Sequence, residues 1–133
     1  MFDFKKPNGA ILRNATVEAA RANGVSEDEI AVVLKAERKR LVSEECRRRI
    51  YAHASAEAQT NMGLAVGVIG AKTASNRTDA EVAILAGATA ALGWVQAMRA
   101  ANTALIEDAG TDFLDDAAWP EIPAEAAQVA ASF

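Results

Sequence analysis

The stretch TDAEVAILAGATAALGWVQAMRAANTALIED, residues 78–108, decides the fold. Thr78 followed three positions later by Glu81 is a capping box, in which hydroxyl and carboxylate each satisfy a free backbone N–H of a starting helix. From Val82 to Met98, 17 residues then pass without a charged side chain. A helix that is apolar all round has to be buried, so this segment predicts a central helix around which the remaining chain packs. A membrane span wants about 20 strongly apolar residues. This run is shorter and diluted by Ala, Gly, Thr and Gln, so no membrane insertion is expected. Gly110 stands where the helix should stop.

The partner of this helix is sought upstream. Ser26 with Glu29 forms a second capping box, and apolar positions then recur in steps of three and four from Ile30 through Val42, Cys46, Ile50 and Met62 to Ile69. One long helix over 27–71 is predicted. Gly63, Gly67 and Gly70 each weaken it by about 1 kcal/mol relative to alanine. Close approach of a neighbouring helix offsets that cost, and Gly87 and Gly93 are expected to face these glycines. The fold class is therefore mainly α: a long antiparallel helical hairpin with short flanking helices and an extended N-terminal arm. Helices are placed at about 16–23, 27–71, 79–108 and 123–132, within one helical domain of residues 15–133. Thr16 caps the first, Gly24 stops it, and Pro123 opens the last. In residues 1–14, Phe2 and Phe4 alternate with charges ahead of Pro7-Asn8-Gly9. This segment reads as a small hairpin or as a docking arm.

Composition narrows the function classes. The chain has 133 residues, 51% of them hydrophobic but only 5% aromatic, and a formal net charge of −4. That acidity argues against general nucleic-acid affinity. Residues 1–53 hold 11 Lys/Arg against 8 Asp/Glu, whereas residues 54–133 hold 3 against 10. Arg38-Lys39-Arg40 and Arg47-Arg48-Arg49 have acids interspersed and no aromatic residues for base stacking, so they read as a solvated helix face. Cys46 is the only cysteine and His53 the only histidine. Seven helical positions place them about 10 Å apart, too far for a thiolate–imidazole pair. No phosphate-cradling loop or nucleophile elbow occurs. Asp112, Asp115 and Asp116 lack the glycine and the closing glutamate of a calcium loop. Neither enzymatic activity nor a metal or cofactor is expected.

Assembly is the remaining theme. One antiparallel partner cannot surround the central helix, which predicts a homo-oligomer with Leu85, Leu92, Trp94 and Met98 in its seam. Phe2, Phe4, Ile11 and Leu12 are candidates for docking on a neighbour, and Trp119 is a candidate large anchor beside Trp94. Gln59 and Asn61 either fix helix register, by bonding the opposite backbone or Asn102, or are simply exposed.

Four segments together carry a family resemblance: EECRRRIYAHAS (44–55), AEAQTNM (56–62), LGWVQAMRAANTALI (92–106) and DFLDDAAWPEIPAE (112–125). They resemble a group of small proteins encoded among the tail genes of bacteriophages and prophages. The pattern is an arginine-rich helix, a Gln-x-Asn-Met element, a Trp-Val-x-x-Met-Arg helix and an acidic loop ending in Trp-Pro. The Gly/Ala-rich stretch around 63–93 is longer here than in that pattern. The resemblance brings no catalytic residues. It implies a helical structural protein of a phage tail, near the tail tip or fibres, working through contacts with itself and with other tail proteins. The alternative is a non-virion chaperone of tail or fibre assembly, and a more distant one is a small membrane-active protein. The expected location is the virion tail, or the host cytoplasm during assembly.

Overall fold

The structure, a computed structural model, describes residues Met1–Phe133. It is mainly helical with a small two-stranded antiparallel sheet. Two compact units divide the chain, Met1–Val42 and Ser43–Phe133, and the boundary falls within one helix.

In the first unit, β1 (Phe2–Lys5) pairs with β2 (Ile11–Ala15), followed by α1 (Val17–Ala22) and the start of α2 (Glu27–His53). The N-terminal segment is thus a hairpin, the first of its two readings, and not an extended arm. Gly9 takes φ +86° and donates its N–H to Lys6 C=O at 2.9 Å, a turn that glycine adopts without strain. The register runs Phe4↔Leu12 and Phe2↔Ala15, so β2 carries one extra residue, a bulge. Asn14 sits in it with φ +49° and donates its N–H to Asp3 Oδ1 at 2.8 Å. Asparagine tolerates that left-handed conformation better than most residues.

The unit closes on its own core of Phe4, Ala15, Ala20, Val25 and Ile30, with Phe2, Leu12 and Val17 packed around it. Thr16 accepts the N–H of Ala19, as the first cap requires. At Ser26 only half of the expected capping box forms. Ser26 Oγ accepts Glu29 N–H at 3.2 Å, but the Glu29 carboxylate accepts from Lys5 N–H at 3.0 Å and ties the helix to β1.

The second unit holds the end of α2, then α3 (Ala56–Gly70), α4 (Asp79–Glu107) and α5 (Ala124–Ala130). The single helix predicted over 27–71 is interrupted at Ala54–Ser55. Ser55 takes the N-cap position of a new helix, its hydroxyl accepting Ala58 N–H at 3.1 Å. Gln59 Nε2 donates to Ala54 C=O at 2.9 Å, satisfying a carbonyl at the break. Gln59 therefore serves this junction and does not bond Asn102. The capping box at Thr78–Glu81 forms with both bonds. In the turn before it, the Arg77 guanidinium donates to the carbonyls of Ile69, Gly70 and Lys72, closing the end of α3.

The central helix departs most from expectation. It is not buried all round: Gly87, Trp94, Met98 and Leu105 form one buried stripe, while Val82 and Leu92 are 51% and 60% exposed. The expected glycine-to-glycine packing is absent as well. A methyl group built on Gly63, Gly67, Gly70 or Gly93 meets nothing within 4 Å. On Gly87 it would lie 2.8 Å from Val129 Cβ and 2.9 Å from Glu125 O, so α5, not α3, is the element that approaches α4 most closely. Between α3, α4 and α5 the core consists of Met62, Val129 and Ala130 with Ile84 and Ala88 packed against them.

Candidate functional site

Two features of the second unit bring separated residues together. The first is an arginine–tryptophan junction at the end of α2. Glu45 is buried and lies one helical turn from both Arg48 and Arg49, a spacing that puts all three on one face. It accepts from Arg48 at 2.6 and 2.7 Å and from Arg49 Nε at 2.7 Å. These arginines hold its carboxyl below the usual glutamate range, the hydrogen bond from Arg48 contributing most.

Arg49 then reaches 67 residues along the chain. Its guanidinium donates to Asp116 Oδ1 at 2.7 Å and to Leu114 C=O at 3.0 Å, and lies 5.5 Å from the centre of the Trp119 ring. The loop it grips has local order of its own. Asp112 Oδ1 accepts Leu114 N–H, Asp115 Oδ1 accepts Ala117 N–H, and Trp119 Nε1 donates to Phe113 C=O at 2.7 Å. Trp94 Nε1 donates to Pro120 C=O at 3.0 Å, and His53 stands edge-on to the Trp94 ring at 5.4 Å. Cys46 is buried nearby, its Sγ 3.7 Å from Met98 C=O, and burial pushes its thiol up. It is a core residue.

The second feature is a groove. At one end Met62, Gly63 and Val66 of α3 face Ala88, Ala91, Leu92 and Val95 of α4 across a largely apolar cleft of about 360 Å³. Ile50, Gln59, Val95 and Arg99 line both this cleft and a second, more polar one with Arg47, Tyr51 and Asn102, so the two adjoin. Asn102 Oδ1 is buried there without a donor. Arg47 and Arg99 are exposed and neither guanidinium has an ion-pair partner.

The sequence-derived candidates fall into three groups. Phe4, Trp94, Met98 and Trp119 are covered by their own chain, so they are core and not interface residues. Aromatic rings and methionine supply the largest apolar areas available, and these four are among those the packed elements cover. Phe2, Leu12 and Leu85 are half-buried, while Ile11 and Leu92 remain exposed. Asn61 is exposed. The segments that carry the resemblance meet in space at the junction: Arg49, Trp94, Asp116, Trp119 and Pro120 belong to three of them. The Arg49–Asp116 pair and the groove were not visible beforehand. The Glu45–Arg49 spacing was the one local signal. No family model matches the chain, and no curated protein is similar enough to count as a relative.

Proposed function

We propose that the protein is a helical structural component of a bacteriophage tail, in the tip or fibre region, that acts through contacts with itself and with other tail proteins. The single observation that carries this reading is the amount of uncharged helix surface left open. Leu64 and Val68 on α3 are each 66% exposed, Leu92 on α4 is 60% exposed, and the glycines between them have no neighbour. In this reading α3 and α4 form an antiparallel hairpin whose outer faces are completed by a partner. Apolar side chains exposed on successive turns of one helix, as Leu64 and Val68 are, mark contact sites on soluble proteins. The likeness of the junction segments to tail-gene products supplies the setting. No nucleic acid, membrane, metal or cofactor belongs to this function, and the protein resides in the virion or in the host cytoplasm during assembly.

Two other readings have specific support. A chaperone released after tail or fibre assembly would need the same open surfaces. A membrane-active protein would use α4, which by length and composition alone is long and apolar enough to cross a membrane, with 17% of its most apolar window buried. Mass spectrometry of purified particles and flotation with lipid vesicles separate the three. The structural reading expects the protein in mature particles at fixed stoichiometry and in the aqueous fraction. Absence from particles combined with failed tail assembly on gene deletion selects the chaperone, and co-flotation with vesicles selects the membrane reading.

A further inference from the structure

The open groove and the acidic loop are complementary to each other. The groove offers an apolar floor at Val66, Ala91 and Val95 and two unpaired guanidinium groups, Arg47 and Arg99, at its polar end. The loop offers the reverse. Leu114 is 64% exposed at its tip. On either side of it stand Asp112 and Asp115, whose carboxylates accept backbone N–H groups within the loop and have no ion-pair partner. Arg49 holds Leu114 C=O at 3.0 Å, and Trp119 holds Phe113 C=O, so the loop is shaped before anything meets it. A pre-formed loop loses less entropy on docking than a flexible one.

No residue of the loop, 111–118, lines its own groove. Arg49, which grips the loop, and Arg47, which lines the groove, are two positions apart on α2 and so point to roughly opposite sides of that helix. We propose that the occupant is a second copy of this chain: Leu114 of one protomer enters the apolar cleft of another, and its Asp112 and Asp115 meet Arg47 and Arg99. The inference deepens the assembly reading and rests on it. Loop and groove are different patches, so the contact closes as a reciprocal dimer or a ring, or propagates as an open chain where the rotation does not close.

The test is sedimentation velocity with light scattering on the purified full chain, from micromolar to submillimolar concentration. The wild type is expected to self-associate, more weakly as salt rises. Leu114→Asp and the pair Arg47→Glu/Arg99→Glu should each weaken association by about tenfold or more. Circular dichroism melts show whether each variant is folded. In a mixture, the Arg47→Glu/Arg99→Glu chain should pair with an Asp112→Arg/Asp115→Arg chain through the restored complementarity. A wild type that stays monomeric throughout overturns the proposal. So do folded variants that associate like wild type, or a swapped mixture that stays monomeric. Val82→Asp, on the outer side of α4, should leave association unchanged, and loss of association there in place of the loop variants also overturns it. Self-association by this route in a protein absent from particles would leave this inference standing and remove the tail reading.

Discussion

Gly87 offers the sharpest test of how the second unit is packed, because four other glycines act as its controls. Replacing it with alanine adds one methyl group. That carbon would sit 2.8 Å from Val129 Cβ and 2.9 Å from the backbone oxygen of Glu125. A relaxed carbon–carbon contact is about 3.5–4.0 Å. The backbone oxygen cannot rotate away, so α5 as a whole must move back. Overpacking of this kind costs about 1–3 kcal/mol. Against it stands the gain of about 1 kcal/mol from replacing glycine within a helix. The expected net effect lies between no change and a loss of about 2 kcal/mol. Gly67→Ala and Gly93→Ala meet nothing within 4 Å, so only the helix gain acts. Each should raise stability by about 0.5–1 kcal/mol. Urea denaturation followed by circular dichroism, at low protein concentration to keep association out of the reading, measures all three. If Gly87→Ala gains as much stability as Gly67→Ala and Gly93→Ala, or if Gly67→Ala loses as much as Gly87→Ala, the described packing of α5 on α4 is wrong.

Three further outcomes follow from the packing and the junction. Arg49→Ala removes the bonds to Glu45, Asp116 and Leu114 C=O and the contact with the Trp119 ring; since Asp116 is 95% exposed, its share is discounted, and a loss of about 2–3 kcal/mol is expected in urea unfolding. Tryptophan emission should shift with it, as Trp119 gains water. Phe4→Ala should cost about 3–5 kcal/mol and unfold the first unit, because Phe4 is the fully buried centre of that core; hydrogen exchange of residues 1–42 reads this directly, and a folded first unit would return Phe4 to the role of a docking residue. Because its arginine partners lower the Glu45 carboxyl, the stabilisation is complete above the ordinary glutamate value of about 4.3 and is lost as pH falls through the lower folded value. Thermal melts of wild type and Glu45→Gln between pH 7 and 3 should therefore converge towards the acid end, and a constant gap would contradict the assignment.

What could be read in advance was local. The Thr78–Glu81 box, the Thr16 cap and the Gly9 turn depend on neighbours within four residues, and all three form. The break at Ala54–Ser55 was missed because alanine and the apolar stripe continue straight through it. The contrary signal was a single serine able to cap. The five helical glycines look alike in sequence, and only the position of α5 separates Gly87 from the rest. The Arg49–Asp116 bond spans 67 residues, and nothing local in either segment points to the other.

The misreading of α4 has a more general cause. A charge-free run says what a helix can bury, not what covers it. The inference from apolarity to burial assumes that one chain carries its own cover. Here the chain covers one stripe of α4 and leaves the opposite side, including Gly93, in the open. In the isolated chain that arrangement has no compensation: Gly63, Gly67, Gly70 and Gly93 each weaken their helices by about 1 kcal/mol without admitting a neighbour. A partner that approaches these backbones closely would supply the missing return, and larger side chains at the same positions would keep it away. The positions that weaken the monomer are thus the ones that would let a close assembly form. Under the proposed function the same residues set both the low intrinsic stability of the helices and the fit of their outer faces.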